Sequence, residues 1–223
     1  MAQEMNTSKG TATEHAGQLY MQTNEVRNAI VRYARAANGA ITEMDRIPTG
    51  GAGSGEFKPI SGQESAPNAF EGAGSVILAE SNTLLFTTNG GDNSVTSFRV
   101  SPDGKLTVID RQPTGEPATG RIGTAKSLAY RPQRRTLYVL HAFGPNHLRS
   151  YTVAEDGKLK LRPERHSVNT ATKTDRVSTQ AVLSPDGRFL LVDILFDAHP
   201  TANPDGSPNL VVANAPDPDG LVI

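Results

Sequence analysis

Cysteine is absent from the 223 residues, which excludes a disulfide framework, thiolate catalysis and thiolate metal ligation, and leaves either redox compartment open. Neither sign of charge is in excess. Lys and Arg number 22 against 23 Asp and Glu, so there is no basic face of the kind that holds phosphodiester backbones, and nucleic acid is not an expected partner. No apolar run approaches the roughly 20 residues of a membrane span, and residues 1–17 are polar and lack the apolar centre of a signal peptide. Read as written, the chain is expected to avoid membranes and to be cytoplasmic; an extracytoplasmic location stays open if further residues precede it. With 36% hydrophobic residues, the length is enough for the core of one domain.

What the chain does have is an internal repeat. Leu19-Tyr20-Met21-Gln22-Thr23-Asn24 leads to Tyr33 and then to Asn38-Gly39-Ala40-Ile41. In the same register Leu84-Leu85-Phe86-Thr87-Thr88-Asn89 leads to Phe98 and to Asp103-Gly104-Lys105-Leu106, and Leu137-Tyr138-Val139-Leu140-His141-Ala142 leads to Tyr151 and to Asp156-Gly157-Lys158-Leu159. Glycines and aromatics alike are spaced by 65 and then 53 residues, without a gap. Within one repeat, the apolar run 84–88 is followed by turn residues Gly90-Gly91-Asp92-Asn93 and by the alternating run 95–100, which is a hairpin pattern. Ser101-Pro102-Asp103-Gly104 then supplies a tight reversal before another strand at 105–109, and Ser75-Val76-Ile77-Leu78 reads as an innermost strand ahead of them. Four antiparallel strands per repeat predict the blades of an all-β propeller.

A fourth repeat starts at Ser184-Pro185-Asp186-Gly187-Arg188, 53 residues after 131–135. Its register then breaks, and 20 extra residues fall in the hairpin around 196–209, before a strand at Leu221-Val222-Ile223. The expectation is a disordered tail over 1–16 and a partial propeller over 17–223. Its blades lie near 17–49, 74–112, 126–165 and 178–223, about three and a half in all, with an insertion near 194–213 and an end in mid-blade. Long connections at 49–74, 113–124 and 166–178, with the hairpins after Asn24, Asn89 and Ala142, are expected to open on one face around the axis, where a ligand site belongs.

The Leu-Phe-Thr-Thr-Asn run at 85–89, the Ser-Pro-Asp-Gly turns at 101–104 and 184–187 and the aromatic strand before each Gly-Lys-Leu resemble the lactonase-type seven-bladed β-propellers, a family that includes 6-phosphogluconolactonase-like enzymes. The resemblance covers nearly the whole chain from about Gly17 and implies half of a seven-bladed ring. It also implies hydrolysis of a sugar or dicarboxylate lactone such as 6-phosphogluconolactone, with no metal and no cofactor. One departure stands out: the strand before Ser-Pro-Asp-Gly-Arg-Phe carries a Pro-His-x-His run in phosphogluconolactonase-like members, whereas residues 176–183 here hold no histidine. Gln180 in that stretch resembles a set of family members with glutamine there.

Lactone hydrolysis needs a base to activate water, and cations or N–H donors for the oxyanion and an anionic tail. His141 and Asp193 are the catalytic candidates, the first ending a strand and the second following Leu190-Leu191-Val192. Arg121 and Arg176, in interblade loops, His147, in a hairpin, and Gln180 are the substrate-binding candidates. Each also has a structural reading: solvated loop arginines, a satisfied core histidine, an exposed hairpin histidine, a turn-closing aspartate. Asp217-Pro218-Asp219-Gly220 and the group of His199, Asp193 and Asp197 are too poor in ligands for a metal site, and Gly50-Gly51-Ala52-Gly53-Ser54-Gly55 reads as linker. The alternative function is a non-catalytic propeller that presents its loops to a protein or a glycan. Open blade edges would also allow two chains to pair as a homodimer.

Overall fold

The computed structural model describes residues 15–53, 73–117, 123–196, 201–202, 208–209 and 221–222. Among them the chain is all-β, and its antiparallel sheets are propeller blades. Blade 1 holds β1 (His15–Gln22), β2 (Ala29–Ala36) and β3 (Ile41–Pro48) in that order. Blade 2 holds β4 (Val76–Ala79), β5 (Leu84–Asn89), β6 (Ser94–Val100) and β7 (Leu106–Pro113). Blade 3 holds β8 (Gly123–Arg131), β9 (Thr136–Phe143), β10 (Leu148–Val153) and β11 (Leu159–Leu161). In blade 4, β12 (Val177–Leu183) pairs with β13 (Leu190–Phe196), and β13 with β16 (Leu221–Val222). Between them β14 (Thr201–Ala202) and β15 (Pro208–Asn209) form a small hairpin inside the expected insertion.

β1 starts at His15, inside the segment expected to be a tail, because its backbone pairs with Ala36 of β2. The rest of that tail, residues 1–14, lies outside the described residues.

The turn signature works as its residues require. Gly39, Gly104 and Gly157 have φ of 87°, 79° and 92°, the left-handed region that glycine enters without steric cost. Their N–H groups close the turns onto the carbonyls of Ala36, Ser101 and Ala154. Gly187, in the fourth repeat, does the same onto Ser184.

Apolar side chains fill the spaces between blades. Ile30, Leu85, Phe98 and Leu106 join blades 1 and 2. Leu84, Phe86 and Val95 meet Leu128, Leu137, Val139 and Tyr151 between blades 2 and 3. Ala129, Leu140 and Leu148 meet Ala181, Leu190 and Val192 between blades 3 and 4.

The gapless superposition fails in one place. Leu19 pairs with Tyr33 and Leu137 with Tyr151, but in blade 2 it is Leu85, not Leu84, that pairs with Phe98. A slip of one residue turns every side chain of a strand to the other face, so Leu84 and Phe86 point to blade 3 while their counterparts Leu137 and Val139 point back to blade 2. The hairpin of blade 2 closes at Asn89 and Ser94, and the buried Asn89 amide holds it there by donating to Ser94 Oγ (3.0 Å) and Thr96 Oγ1 (3.1 Å). Asn89 Oδ1 accepts from Asn28 Nδ2 (2.8 Å) and Thr49 Oγ1 (2.7 Å), tying blade 2 to blade 1.

Candidate functional site

Three of the predicted residues, His141, His147 and Arg176, come together at a joint between blades. His141, in β9, is fully buried. Its Nδ1 lies 3.0 Å from the His147 carbonyl, which can only accept, so Nδ1 carries the proton and Nε2 accepts from the Thr114 hydroxyl at 2.9 Å. Burial holds its pKa down to about 4. His147 is equally buried: Nε2–H donates to the Arg176 carbonyl (3.0 Å) and Nδ1 accepts from the Val168 N–H (3.4 Å). Arg176 is 3% exposed and donates from Nη1 to the Val168 carbonyl at 2.9 Å. Ser178 Oγ completes the joint by donating to the His141 carbonyl (2.6 Å). Both ring nitrogens of His141 are thus matched within the protein, and His147 and Arg176 are buried beside it, so all three help to hold the blade joint. The reason is desolvation: a histidine at a blade joint is buried neutral, with each nitrogen matched to a protein partner.

Asp193 is exposed on β13 and stands directly across the ladder from half-buried Gln180 on β12. Arg121 lies outside the described residues.

The inner strands β8 and β12 carry a second cluster, outside the residues predicted from sequence. Between Ala125 and Ser127 the β8–β9 register shifts, because Ala125 pairs with His141 and Ser127 with Leu140, leaving Lys126 as the extra residue of a bulge. β12 has the same shift between Ser178 and Gln180, with Thr179 extra. The two bulges are 53 residues apart, the spacing of the repeat. Bulges re-aim side chains and recur beside functional sites. Gly74, Ser127 and Gln180 share that spacing too, and they converge: a Cβ on Gly74 would lie 3.0 Å from Ser127 Oγ and 3.9 Å from Gln180 Nε2. Ser127 Oγ also accepts from the Ala181 N–H at 3.1 Å, fixing the inner strand of blade 4 to that of blade 3.

Lys126 lines a pocket of about 60 Å³ with Gln22, Asn24, Ser75, Thr88, Gly90 and Ala125, drawn from blades 1, 2 and 3. Its ammonium nitrogen is buried. The Gln22 amide donates to the Thr88 carbonyl at 2.6 Å, while its Oε1 is buried and accepts no hydrogen bond among the described residues. A buried acceptor of this kind calls for a donor. The pocket thus combines a cation, a hydroxyl and an open acceptor, in a volume that suits a carboxylate-sized group and not a whole sugar ring. It contains no His, Asp or Glu among its lining residues. Among the described residues no group of three or more His, Asp or Glu side chains is placed to share a metal ion, and no helix is long and apolar enough to cross a membrane.

Comparisons with known proteins agree with this architecture. Residues 11–121, about half of the chain, match the family model "Lactonase, 7-bladed beta-propeller". A solved structure of a protein from Lactobacillus plantarum is similar with a TM-score of 0.53 and 18% identity, over 81% of this chain and 49% of its own. The periplasmic gluconolactonase of Pseudomonas aeruginosa is similar with a TM-score of 0.49 and 17% identity, over 82% of this chain and 48% of its own. No curated protein sequence gave a match. The chain spans about half the length of the solved structures it matches. With its blades, its 53-residue bulge spacing and the family match in agreement, the chain belongs to the lactonase-type seven-bladed β-propeller family.

Proposed function

We propose that the chain handles lactones as a lactonase-like hydrolase, with the carbonyl or the anionic end of a sugar or dicarboxylate lactone entering the small pocket lined by blades 1 to 3. The observation that carries this reading is Lys126, lifted out of its ladder by a bulge into a polar pocket in a lactonase-family fold. Hydrolysis adds water to the lactone carbonyl carbon, places negative charge on the carbonyl oxygen, then breaks the ring C–O bond as the ring oxygen takes a proton. The Lys126 ammonium is assigned to the oxyanion or to an anionic tail, because a fixed cation in a site shut off from water stabilises developing charge far better than solvent does. Gln22 Oε1 is assigned to a substrate hydroxyl. Asp193 shares the outward face of β13 with Leu191 on blade 4 and is not among the residues that line the pocket, so no base is assigned to the water proton, which passes to solvent buffer and is returned from it to the ring oxygen.

A non-catalytic propeller that binds a protein or glycan is the second reading, and one observation favours it: both interior histidines are committed to the blade joint. The test is acid release from glucono-1,5-lactone and its 6-phosphate, followed by pH-stat at neutral pH. The hydrolase reading expects turnover above buffer and a fall of about 100-fold in Lys126→Met, the size of loss seen when one oxyanion donor is removed. Turnover equal to buffer in the unaltered protein would favour the scaffold.

A further inference from the structure

The hairpins β1–β2, β5–β6 and β9–β10 each carry an asparagine, Asn28, Asn93 and Asn146, spaced by 65 and 53 residues like the turn glycines. Asn93 is 1% exposed and holds both legs of the connection from blade 2 to blade 3. At the start of that connection its backbone carbonyl accepts from the Thr114 N–H (2.8 Å), and its Nδ2 donates to the Pro117 carbonyl (2.7 Å). At the end, its Oδ1 accepts from the Ala125 N–H (2.8 Å). The other two asparagines have different partners: Asn28 Nδ2 donates to Asn89 Oδ1 (2.8 Å), and Asn146 Nδ2 to Glu116 Oε2 (3.1 Å). Ala125 immediately precedes Lys126, the extra residue of the β8 bulge. Two further features press the chain into place there. A Cβ on Gly90 would lie 3.2 Å from the Ala125 carbonyl oxygen, so the bare glycine lets β8 close on the blade 2 hairpin. Thr124, one residue before Ala125, has φ of 63°, a left-handed conformation in which a β-branched side chain is strained. Such strain persists where surrounding contacts over-determine the backbone, and it gathers at functional sites.

We propose that Asn93 is a positioning residue for the Lys126 pocket: by gripping the Ala125 N–H it fixes where the bulge begins and so aims the Lys126 ammonium into the pocket. Asn93 is not among the residues that line the pocket, whereas Ala125 and Lys126 are, so it acts through the backbone of β8 and touches no ligand. A group displaced by a fraction of a bond length loses much of its effect on a reacting carbonyl, which is why a bulge that carries a functional cation needs an anchor beside it. The consequence for turnover rests on the lactonase reading above; the placement of Lys126 does not.

The experiment follows the side-chain methylene signals of isotope-labelled lysine by NMR, with and without a soluble paramagnetic agent that broadens whatever solvent reaches. The unaltered chain is compared with Asn93→Gly, which keeps the positive φ of 48° and removes the grip, and with Asn146→Ala, the same loss at the repeat counterpart. Circular dichroism verifies that each variant keeps its strands; should Asn93→Gly not fold, Asn93→Ser, whose hydroxyl stops short of Ala125, gives the same readout. The Lys126 signal, assigned by its disappearance in Lys126→Met, should stay sharp in the unaltered chain and in Asn146→Ala, and should shift and broaden in Asn93→Gly. Turnover of glucono-1,5-lactone should fall about 100-fold in Asn93→Gly, the size of loss that a displacement of about 1 Å can cause, and hold in Asn146→Ala. A Lys126 signal unmoved in the folded Asn93 variant, or moved as far in Asn146→Ala, would overturn the proposal. Absence of turnover in the unaltered chain would instead count against the lactonase reading, and the lysine signal would still decide the role of Asn93.

Discussion

Acid should loosen the blade 3 joint through one residue. His141 is fully buried, with Nδ1–H on the His147 carbonyl and Nε2 taking the Thr114 hydroxyl, and its pKa is held near 4 by desolvation, against 6.5 for an exposed imidazole. The unfolded chain therefore binds a proton at this position below about pH 6.5 while the folded chain does not. Stability is complete above that pH and is lost progressively as pH falls through the window down to about 4. By linkage the full window corresponds to about 3 kcal/mol, of which roughly 2 kcal/mol is gone at pH 5. Urea unfolding between pH 4.5 and 8, compared between the unaltered protein and His141→Gln, isolates this share, because the variant cannot titrate there. The variant should be less stable at pH 8, having lost a matched pair of hydrogen bonds, and its stability should fall less between pH 7 and pH 5. Equal pH dependence in the two proteins, or a His141 ring that titrates near 6.5 by NMR, would refute the reasoning.

Two further outcomes follow from buried contacts. Glu116 and Arg149, with side chains 4% and 2% exposed, pair at 3.2 Å, and Glu116 also accepts from Asn146 Nδ2. Glu116→Gln leaves a buried guanidinium without its counter-charge and should cost about 3 kcal/mol in a urea melt, whereas Glu164→Gln on the surface should cost almost nothing. Gly91→Ala would set a Cβ 2.1 Å from the Gly53 carbonyl oxygen. Since the obstacle is backbone, the blade 1–2 connection must shift, and a loss of about 2 kcal/mol is expected from thermal unfolding.

Much of this fold could be read from the chain. The Asp-Gly-Lys-Leu turns sit where positive-φ glycines are needed, and the apolar runs before them are the strands of the blades. The one-residue slip of β5 was not legible, since it leaves the order and spacing of residues unchanged and depends on where the Asn89 amide finds partners. The site was harder still. His141 and His147 end up buried because tertiary packing lays the connection before blade 3, at Thr114, over the first and the connection after it, at Arg176, over the second, and in sequence a strand-end histidine looks the same whether it meets solvent or a carbonyl. The bulge at Lys126 is not legible either, since a bulge leaves no compositional mark. Its one trace is the repeat, since Lys126 stands 53 residues before Thr179, the neighbour of the candidate Gln180.

The location of the site is tested most directly by a two-dimensional amide NMR titration of the isotopically labelled chain with 6-phosphogluconate, the ring-opened product anion. The account predicts the largest shifts at Gln22, Ser75, Gly90 and Lys126, the walls of the pocket, with little change at His141 or Val168. Shifts centred on the His147–Arg176 joint, with none around Lys126, would contradict it.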